Sequence, residues 1–214
     1  MKPRVFPITG RRQVDALRSP VRQEIIDTVQ TLGPCSIAML AETLGRSVHS
    51  LYYHVRHLVR VGLLRVVGYQ PSARRAEALY GTPADKERML LRYDATDATN
   101  RQAVNGVVVS MLRVAARDFR KGFLPNVAVC QGDTRNLWAG RHKGWLNPAE
   151  LKEVNALLKR LTGLLNQPRS DRRKALHTLT FVLAPVKSGK THAKRPKPRS
   201  KPGEAELEGS PRAG

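Results

Sequence analysis

The side chains best suited to specific polar recognition in this sequence lie between Arg46 and Arg60. At helical spacing, Leu51, Val55 and Leu58 form an apolar stripe, which leaves hydrogen-bonding and aromatic residues at or near the opposite face. Side chains of these types can bind the base edges, thymine methyls and phosphates of duplex DNA. The candidate contacts in this segment are Arg46, Ser47, His49, Ser50, Tyr52, Tyr53, Arg56 and Arg60.

Within this set, Tyr52 and Arg56 are expected to contact base edges. Arg46 and Arg60, near the two ends of the segment, are expected to hold the DNA backbone on either side. His54 stands beside the apolar stripe, and we expect it to be a packed core histidine. The alternative for the whole set is an outer face that is merely solvated, on a domain used for protein contacts.

The elements predicted around these side chains are three helices and a hairpin. Ser19 and Pro20 are typical of a helix start, Gly45 of a helix end, and Ser47 of the cap of the contact-bearing helix. The predicted helices cover residues 20–32 and 37–44 and a third segment that ends at Gly62, and two β-favouring runs cover Leu63–Tyr69 and Ala78–Tyr80. This order predicts a winged helix-turn-helix, with its third helix in the major groove.

The tip of the predicted hairpin carries two further candidate DNA contacts, Arg74 and Arg75. Arginines at such a tip can reach phosphates or the adjacent minor groove.

The charge of the chain is strongly unbalanced. Its 38 Lys and Arg residues against 17 Asp and Glu residues give a formal net charge of +21 and a pI near 11.0. Such a surplus favours a polyanionic partner, because neutralising phosphates releases condensed counterions. Charge alone does not separate DNA from RNA or from an anionic membrane.

Several classes of function are not supported by the residue spacing. Cys35 and Cys130 are too few for a disulfide framework and lack the spacing of a zinc site, so we expect reduced, packed thiols. The first residues lack the apolar run of a signal peptide, and no segment approaches the length of a membrane span. No Ser/His/Asp, Cys/His or paired-carboxylate spacing is recognisable. We therefore expect a soluble cytoplasmic protein that is not an enzyme, with no metal, cofactor or membrane partner.

Residues 184–191 fit a loose phosphate-loop pattern and follow a predicted strand. That mechanism needs a helix immediately afterwards, whose N-terminal N–H groups hold the phosphates. The proline-containing segment 194–198 follows instead. Too little chain remains for a nucleotide-binding fold, so we reject this interpretation.

Taken together, the run from Leu44 to Leu58, the segment Gly62–Leu64 and the upstream segment Ala16–Arg22 resemble the ArsR-type winged helix-turn-helix regulators. The likeness covers about residues 12–83. It implies a cytoplasmic, usually dimeric regulator of transcription, often a repressor. Many relatives sense metals through cysteine pairs or His/Asp clusters. This chain has no Cys-x-Cys and no carboxylate–histidine cluster on its later long helix.

The second part of the chain is predicted to be a small α+β unit. A helix from about Asp97 to Arg120 carries an apolar face broader than one neighbouring surface needs, so part of it is expected to pair with a second subunit. The alternative is a helix buried in its own domain. Another helix begins at Asn147, and strand-like patterns cover Val127–Cys130 and Ala175–Ala184.

A small-molecule effector is a further candidate partner. Trp138, Arg141 and Trp145 could line its pocket. Tryptophans in such a region are more often core anchors, and we favour that interpretation.

The expected fold is mainly α with a small β component. It consists of an N-terminal winged helix-turn-helix at residues 12–85, a C-terminal α+β dimerisation or effector domain at 86–185, and a disordered basic tail at 186–214. The leading functional hypothesis is a sequence-specific regulator that binds double-stranded DNA as a homodimer. The alternatives are a non-specific architectural DNA-binding protein and a winged-helix module that binds protein or RNA.

Overall fold

The computed structural model describes residues 5–72, 76–83, 88–167, 170, 172 and 175–186. Arg74 and Arg75, the predicted tail beyond residue 186 and most of the phosphate-loop-like segment lie outside the described residues. The elements are β1 (Val5–Ile8), α1 (Arg11–Ala16), α2 (Pro20–Leu32), α3 (Ile37–Leu44), α4 (Val48–Arg60), β2 (Arg65–Gln70), β3 (Glu77–Gly81), β4 (Arg88–Leu91), α5 (Ala98–Lys121) and α6 (Pro148–Leu165).

By its internal contacts the chain divides into two units, Met1–Thr180 and Phe181–Gly214. All the elements named above belong to the first unit. In the second unit, the described residues 181–186 adopt no regular secondary structure.

The predicted helices α2, α3 and α4 are confirmed, and their ends follow from local signals. The Ser36 and Ser47 hydroxyls accept hydrogen bonds from the backbone N–H groups of Met39 and Ser50, at 3.3 and 3.2 Å. Gly45 ends α3 in the left-handed conformation, with φ of +60°, where a side chain would be strained. Ser19 occupies the N-cap position of α2, but its side chain makes no capping hydrogen bond.

The predicted hairpin is present, with each strand end within two residues of the predicted position. Strands β2 and β3 pair antiparallel from Arg65–Gly81 to Gln70–Glu77. The loop between α2 and α3 adds a bridge to this hairpin: the Cys35 N–H donates to the Tyr80 carbonyl at 3.1 Å, and the Tyr80 N–H donates back at 2.9 Å. The hairpin is thereby attached to the helix-turn-helix by backbone hydrogen bonds.

The N-terminal residues before the predicted helices form regular elements. Residues 5–8 form β1, which pairs in parallel with β4 from Val5–Arg88 to Ile8–Leu91, and residues 11–16 form α1. Ile8 is buried and Phe6 packs against the core. Two effects favour this arrangement. The apolar side chains are removed from water, and each short segment supplies the hydrogen-bond partners that the backbone of the other segment needs.

One core joins α1, α2, α3, α4 and the first half of α5. Ala103, Val104 and Val107 of α5 are buried in it, with Val108 packed against it. This part of the apolar face of α5 is therefore buried in its own chain, as the alternative interpretation held. Residues on both sides of the predicted boundary after residue 85 contribute to the same core.

The two predicted strands of the C-terminal segment are absent: Val127–Cys130 and 175–184 adopt no strand in the structure. Alternating side chains favour a strand only where a neighbouring strand completes the hydrogen-bond ladder, and no described residue does so here. Trp138 and Trp145 are 66% and 83% exposed, so the prediction that they are core anchors is wrong. They lie on exposed backbone without regular structure, with no core beside them to pack against.

The two thiols also differ from each other. Cys35 is buried, and burial raises its pKa to about 11, whereas Cys130 is exposed. The prediction of two packed thiols therefore holds for Cys35 only.

Helix α6 begins at the predicted position, with a capping box between Asn147 and Glu150, and none of its residues is buried. No helix in the described part of the chain has the length and apolar character needed to cross a membrane.

Candidate nucleic-acid interface

Helix α4 has one fully buried face and one exposed face. Leu51, Val55 and Leu58 have no exposed surface and fix the helix against the core. Because these residues recur at helical spacing, the remaining positions point outward as a set. The predicted contacts that are exposed on this helix are His49, Ser50, Tyr52, Tyr53, Arg56 and Arg60.

Aromatic and basic side chains pair on the exposed face. The guanidinium carbon of Arg56 lies 5.7 Å from the ring centroid of Tyr52, within the range of a cation–π contact. Tyr53, which is 69% exposed, lies edge-on to the His54 ring at 5.6 Å and tilted to the His57 ring at 6.5 Å. Tyr52 and Arg56 therefore lie side by side on the exposed face of the helix.

His54 is half-buried, in partial agreement with the core role expected for it. Its Nδ1 is buried and has no hydrogen-bond partner in the described residues. Burial lowers the pKa of His54, and the nearby cations of Arg22, Arg46 and His57 lower it further.

Arg46 and Ser47 lie just before α4, and their side chains make contacts within the protein that stabilise its fold. The Arg46 Nη2 atom lies 3.0 Å from the Oε2 atom of Glu24 on α2, and its side chain is only 33% exposed. The Ser47 hydroxyl accepts the capping hydrogen bond from Ser50, and the Ser50 hydroxyl donates to the Ser47 carbonyl at 2.8 Å. Arg46 is thus turned toward α2, away from the row of exposed side chains.

Glu24 is the centre of a small ion network. Its second carboxylate oxygen lies 2.7 Å from Nη2 of Arg117 on α5, and the same nitrogen lies 2.6 Å from Oδ1 of Asp118. The hydrogen bond to Glu24 is the main reason that the pKa of Arg117 is raised. This carboxylate joins α5 to the turn that precedes α4.

Two shallow grooves flank the last turns of α4, and His57 and Arg60 line both. The first groove is also lined by Tyr52, Tyr53 and Arg56. The second lies between α4 and the helices α1 and α2 and is lined by Arg12, Asp15, Ala16, Arg22, His57, Arg60 and Val61. Sequence reasoning missed Arg12 and Arg22, because their place beside α4 depends on α1, a helix that was not predicted. The surplus of arginine in residues 11–22 was the available signal.

The hairpin that would form the wing is described except for its tip. Tyr69 near the end of β2 is exposed, and the Gln70 amide nitrogen donates to the Glu77 carboxylate at 3.2 Å. The predicted contacts Arg74 and Arg75 lie outside the described residues.

The part of the chain that the structure describes holds no group of three or more His, Cys, Asp or Glu side chains arranged to bind a metal ion.

Comparisons with known proteins agree with this geometry. The family model described as "Helix-turn-helix domain" matches residues 17–67, which run from the end of α1 into β2. A comparison with curated proteins found no match. Residues 17–67 therefore form a helix-turn-helix domain.

Proposed function

We propose that this protein is a sequence-specific regulator of transcription that binds double-stranded DNA without catalysing a reaction. The main observation behind the proposal is the exposed row of aromatic, basic and hydroxyl side chains on α4. The opposite face of this helix is fixed to the core by two fully buried leucines and a valine, and the helix belongs to a helix-turn-helix domain. A rigid helix with such a face suits the major groove, which is wide enough to admit it. The resemblance of residues 12–83 to ArsR-type regulators supports a cytoplasmic repressor.

In this proposal the middle of α4 and its C-terminal end have different roles. Tyr52 and Arg56 contact base edges, while Arg60 and the wing contact phosphates on the flanks. Arg56 is pre-oriented by its contact with Tyr52, so little rotamer freedom is lost on binding. Arg46 sets the angle of α4 through Glu24 and contributes to recognition by positioning the helix.

Selection of bound duplexes from a random pool tests the proposal directly. A sequence-specific dimer enriches an inverted repeat. Tight binding with no enrichment would favour the alternative of an architectural DNA-binding protein, to which the high net charge also points.

The first prediction concerns specificity. Arg56→Ala and Tyr52→Ala are each expected to reduce discrimination between the selected sequence and random DNA by about 1–3 kcal/mol, since each removes a base contact. Competition binding at fixed salt measures this ratio. Arg60→Ala is the matched control on the same helix, and it is expected to weaken both duplexes to a similar degree. An unchanged ratio in both recognition variants would contradict the assignment.

We further propose that the protein binds DNA as a homodimer through the part of α5 that its own core leaves uncovered. Val109, Leu112 and Phe119 are exposed on this helix, at spacings of three and seven residues that bring them near one side. An apolar strip of this kind in water favours association. Two-fold symmetry would then set two copies of α4 about 34–36 Å apart, one turn of duplex.

The second prediction tests this interface. Leu112→Glu is expected to give a monomer with an unchanged helical circular dichroism spectrum, because the side chain is 48% exposed and a charge there opposes association. Val108 is unsuitable, since it packs against the core. Sedimentation of the wild type, Leu112→Glu and the adjacent exposed control Arg113→Glu measures the effect. A dimer in all three would place the interface elsewhere, and a wild-type monomer at micromolar concentration would refute the dimer.

A further inference from the structure

The second groove beside α4, which we call the arginine cleft, brings together cations from three helices. Arg12 comes from α1, Arg22 from α2, and His57 and Arg60 from the last turns of α4. Among the described residues, Asp15 is the one carboxylate that lines the cleft. It lies 3.6 Å from Arg18, in the turn after α1, and 4.0 Å from Arg11 of α1, so its charge is already shared with these two arginines.

The positive charge in the arginine cleft is therefore poorly balanced within the chain. The Nε atom of Arg22 is buried and has no hydrogen-bond partner in the described residues. Burial lowers the pKa of Arg22, and the pKa of His57 is lowered by burial and by the nearby Arg22 and Arg60. A buried N–H donor without an acceptor is costly, and a rotation of the Arg22 side chain that presents this donor to an anion in the cleft would relieve that cost.

We propose that the arginine cleft binds one backbone phosphate of the duplex that α4 reads, and that His57 takes up a proton from solvent when it does. Arg22 and Arg60 donate hydrogen bonds to the phosphate oxygens, because the planar guanidinium can place two parallel N–H groups on one phosphate. The proposal rests on the proposed DNA-binding function and adds to it a contact site outside the recognition helix and a dependence on pH.

The position of the cleft argues for a backbone phosphate. His57 and Arg60 also line the groove that contains Tyr53 and Arg56, so the cleft is continuous with the exposed face of α4. A helix in the major groove has a phosphate backbone on each flank. The wing would contact one flank, and the arginine cleft lies where α1 and α2 meet α4.

The sign of the pH dependence follows from the groups around His57. The groups near it are Arg22 of α2, Arg12 and Asp15 of α1, and Tyr53, His54 and Arg60 of α4, and its free-state pKa lies below the ordinary 6.5. The negative charge of a backbone phosphodiester beside the ring raises that pKa in the complex. DNA affinity is thus expected to rise as pH falls through the pKa of the complex, and to level off below the pKa of the free protein.

The experiment measures binding of one non-specific duplex against salt and against pH from 8 to about 5.5, a range that spans the ordinary pKa of histidine. For the wild type, we expect affinity to rise with falling pH, by up to about tenfold per pH unit where one proton is taken up. Arg22→Gln is expected to lower affinity roughly tenfold and to reduce the salt slope by about 1. His57→Gln is expected to remove the pH dependence while leaving the salt slope at high pH unchanged.

Two controls and one further cleft variant keep the test specific. Arg160→Gln removes an exposed arginine from α6, and His142→Gln removes an exposed histidine outside the helix-turn-helix; both are expected to retain the pH dependence of the wild type. Arg12→Gln, at an exposed position, repeats the salt test if Arg22→Gln melts at a lower temperature. The pH dependence of His57→Gln is compared with that of His142→Gln.

The outcomes separate this inference from the function on which it rests. A wild type that binds no duplex refutes both. A wild type that binds DNA while Arg22→Gln, Arg12→Gln and His57→Gln match it in salt and pH dependence refutes the arginine cleft alone. Inorganic phosphate that raises the melting temperature of the wild type, with DNA binding unaffected by the cleft variants, would assign the cleft to free phosphate and overturn the proposal.

Discussion

Leu51→Ala is expected to lower the free energy of unfolding by about 2–5 kcal/mol, a large share of what holds a domain together. Leu51 has no exposed surface and belongs to the stripe that fixes α4 to the core. Removing three buried carbons loses their transfer free energy and leaves a cavity that close-packed neighbours fill only in part. Urea denaturation followed by circular dichroism measures the change, with the slope on denaturant expected to stay constant.

Tyr53→Ala is the matched control for Leu51→Ala, since both residues belong to α4 but Tyr53 points outward. Its effect on stability is expected to stay within about 0.5 kcal/mol. A similar loss of stability in both variants would mean that the buried and exposed faces of α4 have been assigned wrongly. DNA binding would then be uninformative about either residue.

The second large effect is expected for Glu24→Gln. The carboxylate is almost fully buried and holds Arg46 at 3.0 Å and Arg117 at 2.7 Å. Removing its charge leaves two partly buried guanidinium groups opposite a neutral amide, and breaking a buried ion pair costs about 3–5 kcal/mol. We expect the lower end, because both arginines retain some exposure to water. Thermal or urea unfolding measures the loss.

Asp15→Asn provides the control for Glu24→Gln. Asp15 also pairs with two arginines, but the three side chains are exposed, and such pairs contribute about 0–1 kcal/mol. A double-mutant cycle between Glu24→Gln and Arg117→Gln is expected to show coupling, as the two side chains are in contact. Additive effects in that cycle would show that the network does not join α5 to the rest of the domain.

The parts of the fold that sequence reasoning predicted are those with local causes. Helices α2, α3 and α4 have their stops and caps within the chain segments themselves, and the outward face of α4 follows from the spacing of its buried residues. The α5 and α6 helices were predicted for the same reason. Each of these inferences needs only a short window of sequence.

The parts that sequence reasoning missed depend on tertiary contacts. Strands β1 and β4 are short, and each becomes a strand only because the other, far along the chain, completes its hydrogen bonds. The orientation of Arg46 depends on Glu24, a residue two helices earlier. The strand-like alternation in 175–184 has no such partner among the residues that the structure describes, and it forms no strand. Periodicity predicts which way a residue points, but it does not say whether a partner is present.

The pairing of β1 with β4 also limits how small a fragment of this protein can fold independently. A chain cut after residue 85 would keep all three helices of the helix-turn-helix but lose β4, leaving Phe6 and Ile8 exposed. It would also lose Ala103, Val104 and Val107, which cover the same core from α5. The minimal autonomous folding unit therefore extends from β1 to at least the middle of α5, beyond the segment that resembles known regulators.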